Sequence, residues 1–206
     1  TSTVNDMSGN NNTLTNSWWV TFWTNQGVDC ALFDGNRDHY LWATISTLPL
    51  WDDVRTCSIW TYWDKTSIQN NYQDTLFWWG SGNRNELWFA GIDWVTTSWH
   101  AGDYIIAWYL KDLYWESAHS KERTHFVAVY DKTNLSLYIN WTKTTTQYSW
   151  FNTEWNVLRM WWWTTWDTTI YRSRLCCMSE FIIENKARTA QEISNYYNKT
   201  KGNYWL

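Results

Sequence analysis

The stretch Thr124-His-Phe-Val-Ala-Val-Tyr-Asp-Lys-Thr-Asn-Leu-Ser-Leu-Tyr-Ile-Asn140 decides the fold. It holds two strand-like runs, residues 126–130 and 135–140, joined by the polar turn Asp-Lys-Thr-Asn. Two such runs across a short turn are typical of an antiparallel hairpin. Phe126, Ala128 and Tyr130 share one face of the first strand, while Val127 and Val129 share the other. Because both faces are apolar, we expect this strand to lie between two layers of structure.

The same alternation, broken by polar turns, recurs along the chain. Further strand candidates are residues 31–34, 56–64, 74–79, 86–90, 104–109, 157–160 and 178–184. One helix stands out, because Thr189-Ala-Gln-Glu192 reads as a capping box with an apolar stripe after it. This helix is predicted over residues 190–198. We therefore predict an all-β fold, a two-sheet antiparallel sandwich with one short C-terminal helix.

Length and charge restrict the function classes. The 206 residues fit one sandwich, predicted over residues 1–200 with a tail at 201–206. The formal net charge is −4 and no Lys/Arg cluster occurs, which argues against a nucleic-acid partner. No apolar run reaches the roughly 18 residues of a membrane span, so this segment is not expected to insert into a membrane. The chain starts at Thr1, and we expect it to be a piece of a longer protein.

The four cysteines give no metal or redox motif. They are Cys30, Cys57, Cys176 and Cys177, without C-x-x-C or zinc-ligand spacing. The adjacent pair Cys176 and Cys177 would bridge only under strain. Two alternatives therefore remain for the four cysteines: they are buried, reduced thiols, or two of them form one long-range disulfide.

Tryptophan stands where glycine is expected. The chain has 22 Trp but only 8 Gly and 1 Pro, whereas glycine usually makes up about 7% of a protein. Trp141 follows Leu-Tyr-Ile-Asn140, where a type I′ turn calls for Asn-Gly. The run Met-Trp-Trp-Trp-Thr-Thr-Trp-Asp over residues 160–167 likewise resembles a glycine-rich loop. We expect the turn tryptophans to be unusually exposed, namely Trp141, Trp161, Trp162, Trp163 and Trp166.

One hypothesis explains this composition. Some bacterial lineages read the UGA codon as glycine, and translating such a gene with UGA as tryptophan would produce the observed pattern. Most of the tryptophans would then be glycine in the native protein, and UGG codons at these sites would exclude the idea. Trp60, Trp63 and Trp88 lie inside strand-like runs and are the candidates for genuine tryptophan. The alternative is a genuinely tryptophan-rich carbohydrate binder.

With glycine restored, several segments resemble one family. They are D-x-S-G-N-x-N-x-T-L from Asp6, A-L-F-D-G-x-x-D-x-Y from Ala31, S-I-W-T-Y-W from Ser58, T-H-F-V-A-V-Y-D from Thr124 and E-F-I-I-E-N-K-A-R-T-A-Q-E-I from Glu180. In this order they resemble bacterial laminin-G-like jelly-roll domains of the concanavalin A-like lectin/glucanase superfamily. The resemblance implies a jelly roll with one concave face, with its first strand paired to its last. It also implies a module of a secreted or surface-anchored protein, often with one structural calcium.

Catalytic motifs are absent, so we expect no enzyme. The chain has no G-x-S-x-G, H-E-x-x-H or P-loop, and it lacks the E-x-D-x-x-E strand of the superfamily's glucanases. The four histidines are scattered, and His125 is expected to be structural. Calcium is the favoured ion, since the resemblance would bring together Asp6, Asp34, Asp38 and Glu180. The alternative is that these aspartates only form turns.

The expected ligand is a glycan or a surface protein. Exposed aromatic faces stack on the C–H surfaces of sugars, and the candidates are Tyr62, Trp63 and Trp88, with core packing as the alternative for each. We expect a non-catalytic extracellular or cell-surface recognition and adhesion module. Two alternatives are an accessory carbohydrate-binding module or glycoside hydrolase of the same superfamily, and a structural spacer in a surface appendage.

Overall fold

Most of the residues that the computed structural model describes lie in strands. The described residues are 3–17, 19–25, 27–34, 39–63, 72–81, 85–93, 103–107, 113–116, 122–148, 153–154, 156–160 and 176–204. The strands are β1 Thr3–Val4, β2 Leu14–Ser17, β3 Thr21–Asn25, β4 Val28–Phe33, β5 Tyr40–Thr44, β6 Arg55–Trp63, β7 Tyr72–Ser81, β8 Asn85–Asp93, β9 Asp103–Ala107, β10 Leu113–Glu116, β11 Arg123–Tyr130, β12 Asn134–Ile139, β13 Thr142–Tyr148, β14 Val157–Met160 and β15 Cys176–Glu184. A helix, α1, spans Ala190–Thr200, and a 3-10 turn follows at Lys201–Asn203.

These strands form two sheets. Sheet A has the order β1-β2-β5-β14-β7-β8-β9-β10, and sheet B has the order β13-β12-β11-β6-β15-β4-β3. The strand pairs are antiparallel. The predicted two-sheet antiparallel sandwich with one C-terminal helix is therefore confirmed. The expected pairing of the first strand with the last is wrong, because β1 pairs with β2 in sheet A while β15 lies in sheet B between β6 and β4.

The predicted hairpin forms around β11 and β12. Phe126 faces Ile139 and Tyr130 faces Leu135 across the pair. The Asp131 carboxylate closes the turn, since it accepts hydrogen bonds from the backbone N–H groups of Thr133 and Asn134. An Asp that binds the backbone ahead of it is a common way to fix a tight turn.

Strand β11 is buried on both faces, as its sequence predicts. Phe126, Ala128 and Tyr130 point into the main core between the two sheets. Val127 and Val129 lie on the opposite face, in a second cluster that includes Ile193 of α1. The helix is therefore the second layer that the apolar outer face of β11 requires.

The capping box sets the start of α1. The Thr189 side chain accepts from the backbone N–H of Glu192, and the Glu192 carboxylate accepts from the backbone N–H of Thr189. The helix continues to Thr200, two residues beyond the predicted end. The expected tail at 201–206 is also partly folded, because the 3-10 turn carries Tyr204 into a buried stack. The packed domain thus extends at least to Tyr204.

An aromatic stack fastens the C-terminal segment to sheet B. The Trp60 ring lies 4.2 Å from the Tyr204 ring and 5.6 Å from the Tyr197 ring, measured between centroids. The ring of His125, on the neighbouring strand β11, also stacks on Trp60, with 4.8 Å between the ring centroids. Trp60 is fully buried, as expected for a core strand tryptophan. His125 is also buried, and neither of its ring nitrogens has a hydrogen-bond partner.

The tryptophans fall into two groups. Trp79 is fully buried beside the buried Arg55 and donates from Nε1 to the carbonyl of Pro49 at 3.3 Å. Trp19, Trp51 and Trp141 instead have φ of 78°, 50° and 71° and are 79%, 56% and 51% exposed. The prediction for Trp141 is confirmed, while Trp161, Trp162, Trp163 and Trp166 lie outside the described residues.

Left-handed backbone is costly for a side chain such as tryptophan. It costs roughly 1–2 kcal/mol per L-residue, and glycine avoids that cost. At Trp141 the preceding Asn140 also has positive φ, 47°, which is the backbone pattern of an Asn-Gly type I′ turn. Three exposed tryptophans are therefore held in conformations that favour glycine.

We predict that Trp19→Gly, Trp51→Gly and Trp141→Gly each raise the free energy of unfolding by about 1 kcal/mol. The substitution removes backbone strain, and an exposed side chain gives up little packing. Urea unfolding would measure the change. Trp60→Gly is the matched control and should lower the free energy of unfolding by more than about 3 kcal/mol, because it empties a filled site. Destabilisation by all three turn variants would contradict the account.

His125 predicts a pH dependence. Burial, aided by the nearby Arg188 charge, lowers the pKa of His125 from 6.5 to about 3. The unfolded chain therefore binds a proton that the folded chain does not, so stability falls as the pH drops from 6.5 towards 3. The expected slope is about 1.4 kcal/mol per pH unit.

His125→Phe keeps a ring against Trp60 and removes the titrating group. Urea unfolding between about pH 6.5 and 5, above the range where ordinary carboxylates titrate, should show a flatter slope for this variant. An equal slope in both proteins would mean that His125 is not the group responsible.

Candidate functional site

The centre of the outer face of sheet B is occupied by the protein's own C-terminal segment. The register aligns His125 of β11, Trp60 of β6 and Ser179 of β15 in one row across this face. Tyr197 and Tyr204 cover that row through their stacking on Trp60. A ligand would have to displace α1 to reach it.

A second row crosses the outer face of sheet A. The register places five residues side by side across five neighbouring strands. They are Thr15 on β2, Trp42 on β5, Arg159 on β14, Trp78 on β7 and Trp88 on β8. The flanking residues Leu41, Phe77, Trp79, Leu158 and Met160 belong to the inner core. Since side chains alternate along a strand, the Trp42–Arg159–Trp78 row points away from that core.

Arg159 is the charged group at the centre of this row. Its guanidinium carbon lies 4.8 Å from the centroid of the Trp78 ring, a distance at which cation–π attraction operates. Partial burial lowers the pKa of Arg159, and the neighbouring Tyr40 opposes that shift. Trp42 on the other side is 37% exposed. Trp78 itself is buried, at 6% exposure, so among the described side chains the row combines a fixed positive charge with one exposed ring, that of Trp42.

The three predicted aromatic residues are not brought together. Tyr62 lies in β6 of sheet B, half-buried, with the Arg123 guanidinium 5.8 Å from its ring centroid. Trp63 is the last residue of β6, opposite Cys176 in β15. Trp88 lies in the other sheet, between Trp78 and Ala107. The side chains of Trp63 and Trp88 lie outside the described part of the chain.

The predicted calcium ligands have separate local partners. The Asp6 carboxylate accepts from the Ser8 hydroxyl and from the backbone N–H groups of Ser8 and Asn12. These hydrogen bonds, above all those from Ser8, lower the pKa of Asp6.

The other two described carboxylates lie in different settings. Asp34 contacts the Nδ1 atom of His39 at 2.9 Å, and Glu180 accepts from the Tyr196 hydroxyl at 2.7 Å. Asp38 lies outside the described residues. Among the residues that are described, no group of three or more His, Cys, Asp or Glu side chains is placed to hold a metal ion.

Sequence reasoning missed Arg159 and Tyr40 as surface residues of sheet A. The signal was present in Val157-Leu-Arg-Met160, where a charged residue stands between two apolar ones. In a strand, that alternation places the charge on the face opposite the core. The aromatic neighbours on β5 and β7 follow from strand order, which a single sequence does not reveal. None of the described helices is long and apolar enough to span a membrane.

Comparison with known proteins gives a fold relationship. No family model matches the chain, and no curated protein matches it. The structure is similar to the binding domain of Paraclostridial Mosquitocidal Protein 1, with a TM-score of 0.73 and 13% identity over 95% of this chain and 49% of that one.

It is also similar to the receptor-binding domains of botulinum neurotoxins D and G. The TM-scores are 0.70 and 0.69 and the identities 12% and 15%, over 95% of this chain and 49% and 48% of theirs. The chain thus spans about half the length of these structures. At such low identity the likeness shows the fold alone: this chain folds as the β-sandwich found in toxin binding domains, and the laminin-G-like resemblance stays a prediction.

Proposed function

We propose that this chain is a non-catalytic recognition module of an extracellular or cell-surface protein, and that it binds a glycan. Its fold neighbours are named as binding or receptor-binding domains, which supports a binding role on this scaffold. The resemblance to laminin-G-like modules supports the surface location. A surface protein as ligand is the other partner class that the sequence favours.

The observation that carries the proposal is the contrast between the centres of the two outer faces. The centre of the outer face of sheet B, around Trp60, is covered by α1 and Tyr204, whose contacts with Trp60 are part of the protein's own packing. Sheet A carries Arg159, with Tyr40 nearby and Trp88 further along the same row. We therefore place the binding surface on the outer face of sheet A.

The chemistry of this surface suits a sugar. Aromatic rings stack on the C–H faces of pyranoses, and a guanidinium donates several hydrogen bonds in a fixed plane. Arg159 would therefore hold ring hydroxyls or a sugar carboxylate, the latter through charge-assisted bonds. Partial burial of Arg159 strengthens such bonds, because less water competes for the guanidinium.

The identity of the tryptophans determines the shape of this surface. We infer that most exposed tryptophans are glycine in the native protein, supported by the positive φ of Trp19, Trp51 and Trp141. If Trp42 and Trp78 are also glycine, Arg159 is flanked by bare backbone and lies in a groove instead of beside two rings. The proposal therefore depends on Arg159, whose identity does not change with the codon reading.

A structural calcium ion stays a proposal. Its support is the set of hard oxygen ligands Asp6, Asp34, Asp38 and Glu180 that the family resemblance implies. An ion bound only to the folded chain raises the melting temperature by mass action. An equal melting temperature with calcium and with chelator would leave the three aspartates as turn formers.

We predict that Arg159→Ala weakens glycan binding about tenfold or more, because a hydrogen bond to a charged group is worth roughly 1.5–3 kcal/mol. A glycan array would first identify a ligand for the unmodified chain and for a chain with glycine at the turn positions. Titration calorimetry would then compare Arg159→Ala with Lys143→Ala, which removes a positive charge from β13 of sheet B. Lys143→Ala should bind as the unmodified chain does.

Three results would count against this placement. Equal loss of glycan binding in Arg159→Ala and Lys143→Ala would indicate a general charge effect. Loss of glycan binding in Tyr62→Ala but not in Arg159→Ala would move the site to sheet B. Absence of binding to any glycan or surface protein would favour the structural spacer.

A further inference from the structure

Two of the four cysteines lie together on the outer face of sheet B. Strand β15 pairs with β4 so that Cys177 faces Leu32 and Met178 faces Ala31. The same register carried one step further places Cys30 opposite Ser179, diagonal to Cys177 and on the same face. A hydrogen bond joins the Cys30 and Cys177 thiols and raises the pKa of Cys30.

The other two cysteines are excluded from this pairing by their positions. Cys57 and Cys176 belong to the inner core, on the opposite face of sheet B. They are also far from each other, because Cys176 faces Trp63 at the other end of β6 from Cys57. At about 3.3 Å per residue that separation is roughly 20 Å, far beyond the reach of a disulfide.

We propose that Cys30 and Cys177 form a disulfide in the mature protein, which fastens β4 to β15 on the outer face of sheet B. Val28, on the same face of β4 as Cys30, packs with Trp60, Tyr197 and Tyr204. The thiol pair thus lies next to the aromatic stack that holds α1. The bond would close a loop that contains most of the sandwich.

The oxidant is an external disulfide of the glutathione class or that of a thiol oxidoreductase. One cysteine thiolate attacks a sulfur of the external disulfide RS–SR, which releases RS⁻ and leaves a mixed disulfide on the protein. The second thiolate then attacks the protein sulfur of that mixed disulfide and expels the second RS⁻. In total, two protein thiols are oxidised to one disulfide and RS–SR is reduced to two RSH. An oxidising compartment, such as the proposed location outside the cell, allows the bond to persist.

Burial sets when this exchange occurs. Cys30 and Cys177 are 5% and 1% exposed, so an external disulfide reaches them before the surrounding residues pack or when the domain opens. Once formed, the bond is shielded from reductants by the same packing. We therefore expect oxidation during folding to be much faster than oxidation of the folded chain.

The test is to refold the reduced, unmodified chain with oxidised and reduced glutathione. Thiol counting in denaturant should show two of the four cysteines lost, and non-reducing peptide mapping should find Cys30 linked to Cys177. Reduction should then lower the melting temperature by roughly 5–10 °C, from the usual stabilisation by a disulfide and the size of the domain. Cys57→Ala and Cys176→Ala are matched controls that should keep the cross-link, whereas Cys177→Ala should lose it.

Four thiols remaining after refolding to a chain with native circular dichroism would overturn the proposal. A cross-link that contains Cys57 or Cys176 would overturn it equally. Because the assay measures covalent bonding in the unmodified chain, its outcome is independent of glycan binding and of the Arg159 test.

Discussion

The structure depends on the burial of sheet B on both of its faces. Strand β11 packs Phe126, Ala128 and Tyr130 into the space between the sheets and Val127 and Val129 against α1. A sheet with two apolar faces needs a layer on each side. The short C-terminal helix is therefore required by the fold, and its capping box and the Trp60 stack fix where it begins and how it docks.

This constraint also divides the molecule by function. Packing against α1 and Tyr204 covers the centre of the outer face of sheet B, so Trp60 and His125 serve the stability of the domain. The outer face of sheet A carries the charge of Arg159, half-buried between the exposed Trp42 and the buried Trp78. Sheet B thus packs against the C-terminal helix, and we propose that the outer face of sheet A binds the ligand.

The architecture was predictable from the sequence because it follows from local patterns. The nine predicted strands are all present, since alternation and turn residues act over short distances. The strands β1, β2, β3, β5, β10 and β13 were missed, and four of them (β1, β3, β10 and β13) are sheet edges. They are short or polar, and several contain or adjoin a tryptophan that obscures the alternation. The helix was found because a capping box is a contiguous signal.

The candidate site was less predictable because it depends on strand order. Tyr62 and Trp63 are adjacent in sequence, yet Trp88 belongs to the other sheet. Arg159 gains its neighbours only because β14 lies between β5 and β7, a placement that no local pattern encodes. The predicted calcium ligands show the same difficulty, since Asp6, Asp34 and Glu180 each have a local partner.

Hydrogen exchange of the unmodified chain and of Trp60→Ala tests most directly whether α1 is part of the folded sandwich. The account predicts that amides of α1 and β11 in the unmodified chain are protected to a similar degree, because each buries the other. Trp60→Ala should accelerate exchange in α1 and β11 while β5 and β14 of sheet A stay protected. Rapid exchange of α1 in the unmodified chain, with β11 still protected, would contradict the claim that the helix closes sheet B.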